Sequence, residues 1–282
     1  MDGTDGTVKV DGRMNNTESK LHLLREWMQK KAEHDICVAF SGGVDSSLLL
    51  KIAAEEAEKK GTKVYGVTFV SRLSPKADLD IAREVAGECK AEFEVLYVDE
   101  SKNEELLKNT RERCYLCKKH LFSELIRWAH DRGVYTVLEG TNADDLNVYR
   151  PGLRAVRELE AESPLALLGI SKEEVRSCAA LCGLSVASRP SAPCMATRIP
   201  YDTPLDFDIL AKLEQGEMKL KEAGFGLVRL RLHGDVLRIE VQKEQLSQLA
   251  AHSEDVVRLL KELGFKYITM DLEGFRSGSM DE

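Results

Sequence analysis

The sequence predicts an α/β fold: a doubly wound parallel sheet with a smaller C-terminal α+β domain. Short apolar runs alternate with amphipathic helical stretches between residues 18 and 182, the pattern of strands joined by crossover helices. One run, Ile36 to Phe40, passes through a glycine turn straight into a helical stretch. In such sheets ligands gather at the carboxyl ends of the strands. Beyond Thr203 the order changes to a long helix, a hairpin and further helix. A sheet domain is therefore expected over 18–202 and a second unit over 203–282, after a disordered tail at 1–17.

Composition narrows the class. The chain has 282 residues, enough for one large domain plus a smaller one. Its net charge is -8, which argues against an extended nucleic-acid surface. No apolar run approaches a membrane span, and the polar N-terminus is unlike a signal peptide, so a cytoplasmic protein is expected. Seven cysteines in such a chain point to metal binding or catalysis rather than disulfides.

The elements follow in order. Leu21, Leu24, Trp27 and Met28 have helical spacing, giving a helix over Glu18 to Lys31. After the first strand, Leu48 to Lys60 reads as a helix and Lys63 to Val70 as a strand. Asp78 to Cys89 reads as a helix, and Glu92 to Asp99 as a strand. Helical stretches at Glu104 to Arg113 and Lys118 to Arg132 flank a cysteine pair, and Tyr135 to Leu138 is the fourth strand. Lys172 to Cys182 is helical, and Leu184 to Ala187 reads as a short strand. In the second unit, Thr203 and Pro204 read as a helix start. That helix stops at Gly224. Leu227 to Leu232 and Val236 to Val241 form a hairpin, Glu244 to Leu263 is helix broken near His252, and Lys266 to Leu272 is a strand.

The turn after the first strand is Ser41-Gly42-Gly43-Val44-Asp45-Ser46-Ser47. Glycines let the backbone approach a ligand, and the first amides of the following helix have no internal partner and favour an anion. Ser46 and Ser47 add donors, and Asp45 offers a carboxylate to a cation bridging phosphate oxygens. The plainer reading is a glycine turn with Asp45 as a helix cap. It is not a P-loop, because Asp45 stands where that motif has its lysine. The heptad resembles the PP-loop of the ATP pyrophosphatase superfamily. The resemblance implies cleavage of ATP between the α and β phosphates and transfer of AMP to a substrate oxygen.

Other candidates lie at the same sheet edge. Glu139-Gly140-Thr141-Asn142-Ala143-Asp144-Asp145 follows the fourth strand, and Asp145 could bind magnesium. Thr68 and Phe69 end the second strand, where the superfamily's adenine rests. Cys114 and Cys117 form a CxxC pair with basic neighbours, which favour thiolate. The pair alone fits a redox couple, half a zinc site, two cluster ligands or two buried cysteines. Cys194 lies in a loop with two prolines and two arginines, where it should be more exposed and more acidic than a core cysteine. Three cysteines without a fourth suit a [4Fe–4S] cluster with one open iron better than structural zinc. Cys37, Cys89, Cys178 and Cys182 read as structural. Arg150, Arg154 and Arg157 flank the second nucleotide segment, and Arg229 and Arg231 share a strand face suited to phosphate. Glu217 reads as a surface acid.

The PP-loop, Arg113 to Lys118, Glu139 to Asp145, Arg150 to Ala155, Ser163 to Leu165, Pro193 to Tyr201 and Gly274 to Met280 together resemble the LarE family of ATP-dependent sulfur transferases. The resemblance implies a step in building the nickel-pincer nucleotide cofactor. The substrate would be pyridinium-3,5-biscarboxylic acid mononucleotide, whose carboxylates are adenylated and then become thiocarboxylates. Some members sacrifice the sulfur of a single cysteine at the Cys194 position; those with the CxxC pair as well carry the sulfide on a cluster. The resemblance therefore implies ATP, Mg2+ on Asp45, and a [4Fe–4S] cluster on Cys114, Cys117 and Cys194. It implies substrate phosphate on Arg229 and Arg231 with Arg198 and Glu217 nearby, an external sulfide source, and a homo-oligomer, expected to be a hexamer. The competing readings are a PP-loop tRNA thiolase, an amide-forming synthetase and a non-enzymatic iron–sulfur or nickel scaffold.

Overall fold

The structure is a computed structural model that describes residues 16–75, 77–190, 193–276 and 279–280. The expected disordered tail falls largely outside these residues, although Asn16 and Thr17 already belong to the first helix, α1 (Asn16–Lys31). Next come β1 (Ile36–Ala39), α2 (Val44–Lys60), β2 (Val64–Val70), α3 (Ala77–Cys89) and β3 (Glu92–Tyr97). α4 (Glu104–Leu107), α5 (Arg113–His130), β4 (Thr136–Leu138), α6 (Gly152–Glu158), α7 (Pro164–Leu167) and α8 (Lys172–Leu181) follow. The remaining elements are α9 (Phe207–Glu222), β5 (Val228–His233), β6 (Val236–Val241), α10 (Leu246–Ala251), α11 (Ser253–Glu262) and β7 (Tyr267–Met270).

β1 is the centre of a parallel sheet ordered β3-β2-β1-β4. Ile36 pairs with Val64 on one side and Thr136 on the other. The chain therefore builds outward from β1 through β2 and β3, then returns to β1's free side with β4. That reversal is the topological switch point at which such sheets open a crevice. Helices cover both faces. On one, Leu48, Leu49, Leu50, Ile52 and Ala53 of α2 are buried among α1, α3 and α8. A helix with three consecutive buried leucines is enclosed nearly all round, and each buried leucine contributes roughly 1.5–3 kcal/mol. On the other face, Phe122, Leu125 and Ala129 of α5 pack on Cys37, Val67 and Val137. The C-terminal sheet is separate and mixed: β5 and β6 are antiparallel, and β7 runs parallel to β6.

Three local expectations are corrected. The cysteine pair does not separate two helices: α4 ends at Leu107, and α5 begins at Arg113 and carries both cysteines in its first turns. Asn109, at φ +55°, turns the chain between them. Leu184 to Ala187 is not a strand but successive turns, closed by Ala187 N–H to the Leu184 carbonyl (3.2 Å) and Arg189 N–H to that of Val186 (3.0 Å). Finally, Thr203 does not cap the C-terminal helix. Asp206 does, accepting the Asp208 and Ile209 amides at 2.8 and 3.1 Å. Leu205 instead bonds back to the Leu107 carbonyl at 2.8 Å, which holds Thr203 and Pro204 out of the helix. Asp206→Ala should lower stability by about 1 kcal/mol in urea unfolding, whereas Thr203→Ala should leave the midpoint unchanged.

Candidate functional site

At the carboxyl ends of β1, β2 and β4 lies a cleft of about 1020 Å³. That is the upper end of the range for small-molecule sites, roughly 300–1,000 Å³. The loop after β1 forms its floor. Gly42 adopts φ +68°, and an added Cβ would stand 2.9 Å from the Ala82 Cα, so only glycine fits that turn. The Ser46 and Ser47 hydroxyls donate to the Gly43 carbonyl at 3.2 and 2.8 Å. Arg189 clamps the same loop from outside, donating to the Gly42 carbonyl (3.1 Å) and to Asp78 (2.6 Å). Ser41, Asp45 and Ser46 line the cleft. Gly42, Gly43 and Ser47 stand behind it and shape the turn.

The loop after β4 meets the first turn of α2. An added Cβ at Gly140 would lie 3.0 Å from the Ser46 nitrogen. Asn142 Nδ2 donates to Asp45 Oδ1 at 3.1 Å, while Lys172 Nζ binds Asp45 Oδ2. Asp145 pairs with Arg150 at 2.9 Å. Glu139 is buried and accepts Lys118 Nζ at 3.0 Å, the Thr141 amide at 3.0 Å and the Ser163 hydroxyl. Burial pushes the Glu139 carboxyl up, but Lys118 and these donors outweigh it and hold the group below the usual carboxylate range. Gly140, Thr141, Asn142 and Asp145 all line the cleft. So do Thr68 and Phe69; the Thr68 hydroxyl donates to the Phe40 carbonyl at 2.7 Å, and Phe69 rests against the Phe122 ring.

Cys114, Cys117 and Cys194 line the opposite wall. Cys114 and Cys117 are three apart on α5, so they share a helix face. The Cys194 loop is held against that helix by Arg113, buried at its start, which donates to Asn109 Oδ1 (2.7 Å) and the Ala196 carbonyl (3.1 Å). Cys194 and Cys114 are exposed and Cys117 is half-buried. On balance the arginines beside Cys194 do not lower its thiol. Although its side chain is open to the cleft, desolvation by the surrounding loops pushes its thiol up, against Arg113 and Arg198, which pull it down. Burial and the neighbouring Cys194 also push the Cys117 thiol up. Among the described residues no three His, Cys, Asp or Glu side chains are drawn together as a formed metal site. Away from the cleft, burial pushes Cys37 and Cys89 up to about 12 and Cys178 up to about 11, as inert core thiols require.

A buried charged cluster lies behind this wall, built by α9, β5, β6 and the segment that carries Arg198. Glu217 is not a surface acid: it is buried in α9 and accepts Arg198 Nε and Nη2, both at 2.9 Å, and the Leu230 amide at 3.0 Å. Arg198 also donates to the Cys194 carbonyl at 3.2 Å. Arg231 donates to Glu240 (3.2 Å) and to the Thr197 carbonyl (2.7 Å). Arg229 stands 3.9 Å from Glu217, and its buried Nε has no hydrogen-bond partner among the described residues. None of these five charged groups lines the cleft itself, but Thr197 does.

The sequence marks Arg113 and Lys118 as basic neighbours of the CxxC pair and Arg189 as part of the cationic Cys194 loop, but not their pairings, and it gives no sign of Lys172, which follows a serine at a helix start. The contacts of Lys118 with Glu139, Lys172 with Asp45 and Arg189 with Asp78 join segments distant in sequence, so no local pattern exposes them.

Residues 15–155 match the family described as the PP-loop domain. A pyridinium-3,5-bisthiocarboxylic acid mononucleotide synthase of Lactiplantibacillus plantarum is 35% identical over 247 residues, covering 88% of this chain and 89% of that protein. An uncharacterized protein of Synechocystis sp. is 35% identical over 94% of this chain and 97% of its own. One of Methanocaldococcus jannaschii is 31% identical over 92% and 98%. Among solved structures, the NMN synthetase of Francisella tularensis superposes with a TM-score of 0.50 at 15% identity, over 64% of this chain and 76% of that one. That likeness concerns the fold. Fold and cleft thus define an ATP-using enzyme of the PP-loop class. Within that class the chain belongs to the LarE family of ATP-dependent sulfur transferases.

Glu139→Gln should destabilise the protein by about 1–3 kcal/mol at pH 7, by removing the charge that satisfies Lys118. The Glu139 carboxyl is depressed in the folded state, so its stabilisation is present above the unfolded carboxylate range, about 4.3. It is lost as pH falls through the lower folded value. The gap between parent and variant should therefore close in urea unfolding below about pH 4. Glu217→Gln leaves Arg198 buried without its counter-charge and should cost about 3–5 kcal/mol, read as a fall in thermal midpoint.

Proposed function

We propose that this enzyme adenylates the carboxylates of pyridinium-3,5-biscarboxylic acid mononucleotide and converts them to thiocarboxylates for the nickel-pincer cofactor. In this reading the sulfur is delivered through a [4Fe–4S] cluster on Cys114, Cys117 and Cys194. The observation that carries it is that these three cysteines line the same cleft as the phosphate loop. The product named for the Lactiplantibacillus plantarum relative supports the substrate.

The residues suit the steps. The α2 amides and the Ser41 and Ser46 hydroxyls hold the leaving pyrophosphate, with Asp45 and Asp145 offering carboxylates to Mg2+. Thr68 and Phe69 border the adenine. A substrate carboxylate oxygen attacks the α phosphorus, and the bond to the bridging oxygen breaks with pyrophosphate taking the electron pair. Attack of sulfur on the acyl carbon then expels AMP. Holding the reactants aligned and neutralising phosphate charge supply most of the acceleration. The soft thiol donor set fits a cluster with three protein ligands. Such a cluster would supply the transferred sulfide; the Cys thiols must lose their protons to hold it. Arg198 and Glu217 fix the Cys194 loop, and Arg231 holds the Thr197 carbonyl of the cleft wall; Arg229 and Arg231, expected to bind the substrate phosphate, are buried behind that wall and act through it. The protein works in the cytoplasm as a homo-oligomer and draws on an external sulfide source, as the family resemblance implies.

The second reading is sacrificial transfer of the Cys194 sulfur, favoured by that side chain's exposure in the cleft. Anaerobic purification with iron and sulfide analysis and visible spectra separates the two. The cluster reading expects a broad iron–sulfur band that Cys114→Ala abolishes, together with thiocarboxylate formation. A colourless parent that reconstitution leaves iron-free, yet that makes one thiocarboxylate per chain, overturns it in favour of Cys194. ATP turnover to AMP that does not require the dicarboxylate would overturn both.

A further inference from the structure

Three of the cleft carboxylates are paired with cations that line the cleft themselves: Glu139 with Lys118, Asp145 with Arg150 and Asp45 with Lys172. The last pair differs from the others. Asp45 lies in the first turn of α2, where the free amides favour an anion. Each of its carboxylate oxygens is taken: Oδ1 accepts Asn142 Nδ2 at 3.1 Å, and Oδ2 is held by Lys172 Nζ. Asn142 is itself fixed, its Oδ1 accepting the Asp144 amide at 3.0 Å. A divalent cation seeking Asp45 must therefore displace the Lys172 ammonium, since it repels a second positive charge at the same oxygen.

Lys172 is built to move. It is the first residue of α8, and its backbone N–H donates to Asp144 Oδ2 at 2.8 Å, which anchors the main chain. The helix start does not need its side chain, because Ser171 and Glu174 cap one another reciprocally. The ion pair is partly open, with side-chain exposures of 30% for Lys172 and 19% for Asp45, so breaking it costs little. The ammonium stands on a flexible four-carbon stem beside the floor where phosphates would lie.

We propose that Lys172 is a cation placeholder. It neutralises Asp45 in the nucleotide-free protein and transfers to a phosphate oxygen of ATP when the metal takes its place on the carboxylate. The inference rests on the reading of Asp45 as the Mg2+ ligand of an ATP site and deepens it. The exchange conserves charge pairing: one ammonium–carboxylate contact is replaced by a metal–carboxylate and an ammonium–phosphate contact. Metal alone gains only the first and takes from Lys172 the carboxylate it was paired with. Metal and nucleotide therefore bind cooperatively, and by linkage each strengthens the other.

Lys172→Met keeps the stem and removes the charge. The test measures Mn2+ alone by the loss of the free-ion paramagnetic resonance signal, and Mg-ATP by calorimetry, with thermal unfolding as a folding control. Mn2+ should bind the variant about five-fold or more tighter than the parent, while Mg-ATP binds about five-fold or more weaker, within the usual span of such couplings. The opposite signs are the signature. Weaker Mg-ATP with unchanged or weaker Mn2+ makes Lys172 a simple phosphate clamp and overturns the placeholder. Asp45→Asn separates that failure from failure of the site: it should weaken both ligands. If it does and Lys172→Met changes neither, the placeholder falls and the site stands. If Mg-ATP binding is indifferent to Asp45→Asn, both fall.

Discussion

Gly140 comes so close to α2 that a side-chain carbon there would meet the Ser46 nitrogen at 3.0 Å. The site depends on that approach, and the approach depends on β1 and β4 being adjacent parallel strands whose carboxyl ends open together. Once the two loops touch, Asn142 reaches Asp45 across 97 residues of sequence. Backbone bonds then fix the second loop from behind: the Glu139 amide to the Glu162 carbonyl and the Ala143 amide to that of Ile170, both at 2.9 Å. The same bonds bring the start of α8, and hence Lys172, to the cleft. A larger residue at 140 would separate the floor from its wall and undo each of these contacts.

The cysteine wall is held differently. Its two parts come from α5 and from the loop before α9, and buried polar ties join them. Arg113 reaches the Ala196 carbonyl, Asn109 Nδ2 reaches the Pro200 carbonyl at 2.9 Å, and Arg198 bridges Glu217 and the Cys194 carbonyl. Such ties are costly to break, because each leaves a buried charge or amide unsatisfied. The cleft is thus carboxylate-and-cation on one wall and thiol on the other. Desolvation pushes the Cys117 and Cys194 thiols up, so a ligand or base that takes the proton favours thiolate chemistry there.

Much of this was legible in the sequence, for a local reason. The strand–glycine–helix heptad needs only short-range pattern to be recognised, as do the polar run after β4 and the strands of both sheets. Errors arose where tertiary contacts outvoted local signals. Thr203 and Pro204 read as a helix start, yet the bond from Leu205 to Leu107 keeps them out of the helix and hands the cap to Asp206. Leu184 and Val186 alternate like a strand, but they are buried under turns whose carbonyls Arg176 binds at Ala187 and Arg189. Glu217 has no local signature of burial; its partner Arg198 lies on another segment 19 residues away.

By itself the sequence determined the sheet class, the anion-binding turn and the identity of the thiols. Glycine conformation, helix-start chemistry and apolar periodicity are properties of neighbouring residues. Only the tertiary structure decided which charges meet. Lys172 on Asp45, Lys118 on Glu139 and Arg198 on Glu217 are pairings between segments that the fold, not the local chain, brings within hydrogen-bond reach. It also decided the surroundings of Cys194, since desolvation depends on everything packed around a thiol and not on the arginines beside it in sequence.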